Sequence, residues 1–388
     1  MLRHWHERSR GDLLASCGLD GVPEEPFPSN GWSGSQLTSL RRRVDGRRFI
    51  LKRTSWAIDW IARSTRDHAL REGFIASTPL PLPEPLVAPY LGAARDGTSV
   101  AILMPDLSDH LLPWEGTPGE PPLEIAAVDR IMDGVARLHA MPWPIAAAAA
   151  SEIVWPSAPW RERLLLLSPT SAAGLATEGV AAGARFVAGW AAFERQATPA
   201  ARALVARLDR DPSPLLLALE TLPSTGLHGD LKLANVGFLD ERRICLIDWQ
   251  MTALAPVAVE LGWMLVTNSA SLPQPPDETL ARYRAALAAL AGSPITPAPR
   301  FDAGVEYPAP ALRATLGPDP LPRYRSAQEV LGSWDLQLDL AWIIGLILRG
   351  WRKGIDAETG ERLGSGVSAA DDLAWWCSRA TAAADRRL

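Results

Sequence analysis

The stretch 227–235 reads Leu227-His228-Gly229-Asp230-Leu231-Lys232-Leu233-Ala234-Asn235, and residues 244–249 follow it as Ile-Cys-Leu-Ile-Asp-Trp. Asn235 comes five positions after Asp230, and Asp248 comes thirteen positions after Asn235. The apolar runs 236–239 and 243–247, joined by the polar turn 240–242, predict a β-hairpin. Because a hairpin folds back on itself, we expect Asp248 to lie beside Asn235.

Two carboxylates and one carboxamide at this spacing favour phosphoryl transfer. Transfer of a highly charged phosphoryl group depends mainly on positioning and on cations, and Mg²⁺ prefers oxygen ligands. Asp248 and Asn235 are therefore candidate Mg²⁺ ligands. Asp230 is the candidate that orients an acceptor hydroxyl or amine and takes its proton. The alternative is that both aspartates are ordinary loop acids at strand ends, which the complete set with both spacings disfavours.

The pattern H-G-D-x-x-x-x-N followed by I-D-W resembles the catalytic loop and metal-binding strand of aminoglycoside phosphotransferase and choline-kinase-like enzymes. The resemblance implies Asp230 as catalytic base, Asn235 and Asp248 as Mg²⁺ ligands, and ATP as phosphate donor. It also implies a bilobal protein-kinase-like fold of the α+β class, with a small antiparallel-sheet N-lobe and a large, mainly helical C-lobe. Gly229 stands where protein kinases usually have arginine, which favours the small-molecule branch.

A glycine-bearing loop precedes a predicted hairpin near the start of the chain. It contains Gly31, Ser33 and Gly34, and it is followed by a predicted strand 36–44, a tight turn at Asp45-Gly46, and a return strand 47–53. Backbone N–H groups of such a loop can bind a triphosphate. The loop has two glycines instead of the three of G-x-G-x-x-G, so an ordinary turn remains an alternative.

A lysine on the return strand and an acid on the following helix are the next candidates. Lys52 ends the apolar run 49–51, where kinase-like folds place the lysine that binds the α- and β-phosphates. We predict one helix over residues 58–77, with Glu72 as the partner of Lys52 and Asp67 as second choice. The alternatives are a solvated strand lysine and a surface ion pair.

The predicted buried strand 99–104 leads into Pro105-Asp106-Leu107-Ser108. In the related enzymes the backbone at this junction meets the adenine edge, so the resemblance implies Met104 and Leu107 as nucleotide-binding residues. Pro105 lacks an N–H group, and Leu107 is therefore the candidate donor.

The rest of the chain is predicted to be mostly helical. We divide it into an N-terminal extension (1–24), a nucleotide-binding N-lobe (25–105) and a helical C-lobe with the catalytic loop and acceptor site (106–388). Helices are predicted over 125–140, 187–194, 200–208, 328–352 and 369–386, and a proline-rich connector or lid over 293–322. Glu260 is expected to brace the catalytic loop, and His139 to be a packed histidine at a helix end.

Composition limits the possible partners and compartment. The chain has 388 residues, 47% hydrophobic and 21% charged, with a net charge of −5. It therefore shows no basic excess that would favour nucleic acid, and it has no apolar run long enough to span a membrane. Three widely spaced cysteines and the absence of a signal-peptide pattern predict a reducing cytoplasm. The oligomeric state cannot be predicted from this pattern.

The acceptor is a small molecule in this interpretation, and its identity stays open. The 16 tryptophans either pack the helical lobe or line an acceptor pocket. Four acids near the C-terminus either bind an amine-bearing acceptor or lie on helix faces: Asp335, Asp339, Asp371 and Asp372. The alternative functions are a serine/threonine protein kinase, because Lys232 follows Asp230 by two positions, and an inactive kinase-fold binding module.

Overall fold

The computed structural model describes residues 5–28, 31–77, 82–113, 122–141, 157–291 and 325–388. Its first unit is a small lobe built on a five-stranded antiparallel sheet with the strand order β1-β2-β3-β6-β5. These strands are β1 (Glu25–Pro26), β2 (Gln36–Arg41), β3 (Arg48–Thr54), β5 (Gly92–Asp96) and β6 (Ser99–Pro105).

The two faces of this sheet pack against different parts of the protein. Side chains alternate along a strand. Phe49 and Leu51 therefore point to the outer face of the sheet, where they are buried, whereas Ile50 and Lys52 point to the face that packs against the large helical lobe. The outer face is covered by helix α1 (Arg10–Ser16). This helix begins after Ser9, whose hydroxyl accepts a hydrogen bond from the N–H of Asp12. The first 24 residues thus include a helix that packs onto the sheet.

The turn between β2 and β3 is longer than predicted. Strand β2 ends at Arg41 instead of residue 44, and the N–H of Arg42 donates to the carbonyl of Arg47 at 2.8 Å. Arg42 also forms an ion pair with Asp45, which stabilises residues 42–47 as a loop instead of a continuation of the strand.

The predicted single helix over residues 58–77 is wrong. The chain instead forms α2 (Trp60–Ser64) and α3 (Arg71–Ser77). Arg66 and Leu70 between them have φ angles of 50° and 53°, which no right-handed helix can contain. The carboxylate of Asp67 accepts hydrogen bonds from the N–H of Arg71 and so caps the second helix.

Two small sheets adjoin the loop 228–235. The predicted hairpin is confirmed as β8 (Val236–Phe238) and β9 (Ile244–Leu246), and β4 (Leu86–Val87) pairs with β9 in parallel. Strand β7 (Thr225–Leu227), which leads into the loop 228–235, pairs with β10 (Ala253–Ala255). The loop is therefore fixed at both ends by strand pairing.

The large lobe is mainly helical. Its helices are α4 (Ile125–Ala140), α5 (Trp160–Leu164), α6 (Pro169–Thr177), α7 (Gly183–Gln196), α8 (Pro199–Arg210), α9 (Ser213–Glu220), α10 (Val257–Thr267), α11 (Pro276–Leu290), α12 (Arg325–Gly332), α13 (Trp334–Thr359) and α14 (Ala369–Arg387). The helix predicted over 328–352 is divided at Ser333 into α12 and α13. Together the two lobes confirm the predicted α+β, bilobal architecture.

The core of the large lobe is rich in tryptophan. Trp249, Trp342, Trp351 and Trp376 are almost completely buried. For these four, the interpretation that the tryptophans pack the helical lobe is confirmed. The three cysteines, Cys17, Cys245 and Cys377, are buried free thiols.

Within the described ranges, no helix is both long and apolar enough to cross a bilayer. The connector or lid predicted over 293–322 lies outside the described residues.

Helices α7 and α13 approach each other closely at Gly189. A Cβ atom at this position would lie 2.6 Å from the carbonyl oxygen of Trp351. We therefore expect Gly189→Ala to lower the free energy of unfolding by about 1–3 kcal/mol, because the helices must separate. Urea denaturation followed by circular dichroism measures this.

The matched control is Gly174→Ala in α6. A Cβ atom there meets no atom within 4 Å, and the position is exposed. This variant should gain up to about 1 kcal/mol from helix propensity. Equal stabilities of the two variants would contradict the close contact at Gly189.

Candidate active site

Lys52 contacts two carboxylates from different parts of the chain. Its Nζ lies 2.6 Å from Oε2 of Glu72 on α3 and 2.8 Å from Oδ1 of Asp248, which follows β9. The structure thus brings together three of the residues predicted from sequence. It also answers the choice between Glu72 and Asp67 as partner of Lys52, since Asp67 caps α3 instead.

The charges of this cluster stabilise one another. Burial opposes the charged form of Lys52, but the carboxylates of Asp248 and Glu72 outweigh it and raise the pKa of the ammonium above its ordinary value. Burial likewise raises the pKa of Glu72. Burial also opposes ionisation of Asp248, yet the ammonium groups of Lys52 and Lys232 lower its pKa to about 2. Asp248 is therefore a carboxylate at neutral pH.

Tyr90 connects the two carboxylates through its hydroxyl. The hydroxyl donates to Oε1 of Glu72 at 2.8 Å and accepts from the N–H of Asp248 at 2.9 Å. Burial and the neighbouring charges of Glu72 and Asp248 raise the pKa of Tyr90 well above its ordinary value, so the hydroxyl keeps its proton. Sequence reasoning missed this residue, because an isolated tyrosine in the segment 82–91 belongs to no motif.

Asp248 has an unusual backbone conformation. Its φ and ψ are 63° and 58°, in the left-handed region that non-glycine residues rarely adopt. Such conformations persist where surrounding contacts impose them, and they are concentrated at functional sites. Here the bonds to Lys52 and Tyr90 hold the residue in place.

Asp230 lies in the loop after β7 and is held by three neighbours. Its Oδ1 accepts from Nε1 of Trp263 at 3.0 Å, and its Oδ2 lies 3.2 Å from both Nδ2 of Asn235 and Nζ of Lys232. Nδ2 of Asn235 also donates to the backbone carbonyl of Asp230 at 2.9 Å. Asn235 and Asp230 thus form one connected unit. The hairpin also brings the residue next to Asp248 to Asn235, because the N–H of Ile247 donates to the carbonyl of Asn235 at 3.0 Å.

Glu260 braces the backbone of this loop, as expected. Its carboxylate accepts from the N–H of Gly229 at 2.5 Å and from the N–H of His228 at 3.2 Å. His139, at the end of α4, places Nε2 at 2.9 Å from the same carboxylate. Burial opposes the charge, but these donors hold the pKa of Glu260 below its ordinary value.

Gly229 is required by a close backbone contact. Its φ is +89°, and a Cβ atom would lie 1.8 Å from the carbonyl oxygen of Met251. The guanidinium of Arg163, from α5, donates to the carbonyls of Gly229 and Met251. Burial lowers the pKa of Arg163 to about 10, so it still carries its charge. Sequence reasoning did not identify Arg163, since only the fold brings it to the loop.

The glycine-bearing loop folds down onto the helical lobe. Nε1 of Trp60 donates to the carbonyl of Trp32 at 2.6 Å, and the Trp32 ring packs against Phe186 and Trp351. Gly31 and Ser33 consequently line the same cleft as Asp230 and Asp248.

The remaining predicted nucleotide-binding residues lie elsewhere. A Cβ atom on Gly34 would lie 2.5 Å from the carbonyl oxygen of Ile58, so this glycine makes a structural contact. Met104 pairs with Ile50 in the sheet, and Leu107 is buried against Val87 and Cys245. The lining of the cleft around Asp230 includes none of Gly34, Met104 and Leu107 among the described residues.

The cleft between the lobes encloses about 940 Å³ of empty space, counting its open mouth. The glycine-bearing loop and α2 border it on one side, and the catalytic loop, α5, α10 and α13 on the other.

The two-lobed fold, with Asp230 and Asp248 lining one cleft and Lys52 bonded to Asp248, is that of a small-molecule phosphotransferase. A family model described as the phosphotransferase enzyme family (APH) matches residues 27–301. The chain belongs to this family, and the resemblance found in the sequence is confirmed.

Solved structures with a similar arrangement have low sequence identity. A choline kinase from Streptococcus pneumoniae is 10% identical, covering 93% of each chain, with a TM-score of 0.42. A macrolide 2'-phosphotransferase from Brachybacterium faecium is 18% identical, covering 96% of each chain, with a TM-score of 0.35. A choline kinase from Cryptosporidium parvum is 11% identical, covering 96% of this chain and 93% of its own, with a TM-score of 0.45. No curated protein sequence matches the chain.

Tyr90→Phe tests the hydroxyl that joins Glu72 to Asp248. The variant leaves a buried carboxylate oxygen and a partly buried N–H without this partner, so we expect the free energy of unfolding to fall by about 1–3 kcal/mol. Urea denaturation measures the loss.

Tyr283→Phe is the matched control, because the Tyr283 hydroxyl is also buried and bonds to Nδ1 of His139 at 2.8 Å. It should cost less than Tyr90→Phe, since the Tyr90 hydroxyl serves both a charged group and a backbone donor. A smaller loss for Tyr90→Phe would count against the linking role.

Proposed function

We propose that this enzyme transfers the γ-phosphate of ATP to a hydroxyl group of a small molecule in a Mg²⁺-dependent reaction. The observation that supports the proposal is that Asp230 and Asp248 line one cleft, with Lys52 bonded to Asp248 at 2.8 Å and Asn235 bonded to Asp230 at 3.2 Å. Membership of the phosphotransferase family supports the same reaction class.

Lys52 is the residue we assign to the triphosphate. Its ammonium is charged, buried and aimed at Asp248, and Glu72 keeps it in that position. A lysine so placed offers its positive charge to phosphate oxygens. The backbone of Gly31 and Ser33, which line the cleft, would cover the phosphates.

Asp248 and Asn235 suit a Mg²⁺ ion by their donor atoms. Asp248 is ionised at neutral pH. The amide nitrogen of Asn235 donates to Asp230, so the amide oxygen is the atom of this side chain that would bind a cation. Mg²⁺ commonly takes one or two protein ligands and completes its shell with phosphates and water. When bound, the ion would neutralise charge that develops on the transferred phosphate.

Asp230 is the residue we assign as base. Trp263, Asn235 and Lys232 hold its two oxygens in a fixed orientation. As the acceptor oxygen bonds to the γ-phosphorus, its proton passes to the Asp230 carboxylate, and the bond to the β–γ bridging oxygen breaks to release ADP.

The alternative functions receive less support. A protein kinase is disfavoured by the family match and by Gly229, whose position has no room for a side chain. An inactive binding module is disfavoured by the intact Lys52, Asp230, Asn235 and Asp248. Three buried free thiols support the predicted reducing cytoplasm.

Asp230→Asn tests the base. The substitution preserves shape but removes the proton acceptor, so kcat should fall by about 10²–10⁴-fold while the KM for ATP changes little. An assay of ADP release against a library of hydroxyl compounds measures both.

The control is Asp133→Asn, an aspartate on α4 whose ion-pair partner is Arg137 and which lies away from the cleft. It should retain wild-type turnover. If Asp230→Asn were as active as wild type, Asp230 would not be the base.

Asp248→Asn tests the metal ligand. It removes the charge that would face Mg²⁺, so Mg²⁺-dependent ATP affinity should fall by about tenfold or more, equivalent to about 1.4 kcal/mol. Calorimetric titration of ATP with and without Mg²⁺ measures this. An unchanged response to Mg²⁺ would exclude Asp248 as a ligand.

A further inference from the structure

The cleft at Asp230 lies on the side where an acceptor would bind. Its described lining includes Asp230 but not Lys52, Met104 or Leu107, which the resemblance implies for the nucleotide. The glycine-bearing loop and Asp248 border it where the phosphates would lie. Much of the remaining wall comes from helices of the large lobe, α5, α7, α10 and α13, and would therefore surround the acceptor.

This wall is mainly apolar. Its apolar side chains come from the glycine-bearing loop and from helical segments of both lobes, and three of them are tryptophans. The main members are Trp32, Trp60, Leu166, Phe186, Trp263 and Leu348. Such a surface favours a ligand with an apolar body, because apolar area leaves water on binding, whereas a polar group placed against it would lose its hydrogen bonds to water.

The carboxylates of the wall already have cationic partners. Among the described residues that line the cleft, the carboxylates are Asp230 and Asp248. Asp230 lies 3.2 Å from the ammonium of Lys232, and Asp248 lies 2.8 Å from that of Lys52. An ammonium group on the acceptor would have to compete with these internal pairs.

The C-terminal acids that could have received an ammonium group have other roles. Asp339 pairs with two arginines of α14, and Asp372 pairs with Lys353. Asp371 accepts a hydrogen bond from the serine hydroxyl that caps α14. Asp335 is an exposed residue in the first turn of α13. These four are helix-face acids, and none of them belongs to the described lining of the cleft.

The cations of the wall are also engaged within the protein. In the described lining they are Arg163, Lys232 and Arg349. Arg163 donates to backbone carbonyls at the catalytic loop, and Lys232 pairs with Asp230. The guanidinium of Arg349 lies 5.4 and 5.1 Å from the ring centres of two tryptophans. An acidic acceptor would therefore compete with internal partners as well.

Trp32 is the part of this wall that belongs to the glycine-bearing loop. It is half-buried, and its ring centre lies 5.7 Å from that of Phe186 and 6.1 Å from that of Trp351. Its backbone carbonyl accepts the bond from Trp60, which any side chain at position 32 could maintain. The loop assigned to the phosphates thus also supplies an aromatic surface to the acceptor side of the cleft.

We propose that the acceptor of this enzyme is an uncharged hydroxyl compound whose apolar body packs against Trp32, instead of a cationic amino sugar or amino alcohol. This assignment rests on the proposed function, which places the acceptor hydroxyl at Asp230. An apolar body gains free energy by leaving water, whereas a charged body would lose its hydration and disturb the ion pairs of the wall.

Four probes test this preference. 4-Methylbenzyl alcohol, 4-(hydroxymethyl)benzylamine and 4-(hydroxymethyl)benzoate share a ring and a hydroxyl but differ in charge, and glycerol has hydroxyls without an apolar body. Titration at neutral pH and constant ionic strength, with and without Mg²⁺–ADP and followed by ligand-observed NMR, should show 4-methylbenzyl alcohol binding at least about tenfold more tightly than each of the others. A smaller advantage, or no binding of this alcohol, overturns the proposal.

Trp32→Ala tests the aromatic contact. It should weaken the binding of 4-methylbenzyl alcohol by about fivefold or more, because apolar contact area is lost, whereas Trp32→Phe should keep most of the affinity. Trp56→Ala is the matched control in the same lobe, since the Trp56 ring stacks on His68 and is not part of the described lining. It should bind like wild type. If Trp32→Ala bound the alcohol as tightly as wild type, the acceptor body would not pack against Trp32.

The acceptor class and the reaction can fail separately. Probe binding without nucleotide requires no turnover, so the preference is measured even if ATP is not the donor. Release of ADP with a cationic acceptor and none with the neutral alcohol would support the proposed function and contradict the uncharged acceptor. If circular dichroism shows that Trp32→Ala does not fold, Trp32→Leu, which removes the ring but keeps an apolar side chain, takes its place in the same comparison.

Discussion

The contact of the Lys52 ammonium with Glu72 and Asp248 is the interaction on which the site depends. It joins a strand and a helix of the small lobe to the end of the hairpin in the large lobe. Lys52 and Glu72 are buried and Asp248 is partly exposed, so the buried charges are tolerated because they are paired, and breaking a buried pair typically costs about 3–5 kcal/mol. The relative position of the two lobes is therefore coupled to the geometry of the cleft.

A second buried carboxylate fixes the other half of the site. Glu260 accepts two backbone N–H groups of the catalytic loop, and Arg163 donates to carbonyls of the same region. The loop thus has its backbone held by side chains from α10 and α5, which leaves the side chain of Asp230 to face the cleft. This rigid support suits the base role proposed for Asp230, because the orientation of the carboxylate need not then be established during the reaction.

Residues close together in sequence were predictable, and residues joined by long-range contacts were not. The loop and the hairpin could be predicted from the spacing of Asp230, Asn235 and Asp248, because both are local structures. The break between α2 and α3 could not be predicted from the sequence, since arginine and leucine at positions 66 and 70 do not indicate a left-handed backbone. Tyr90 contacts Asp248 across 158 positions, and no local pattern reports such a contact.

The three buried thiols give the protein internal reporters of local opening. Cys17 packs against the outer face of the sheet, Cys245 lies on β9 of the hairpin, and Cys377 lies on α14. Burial raises the pKa of all three, to about 12 for Cys245 and about 11 for Cys377, so they resist alkylation while folded. The rate at which each is modified would measure how often its own region unfolds, without any engineered label.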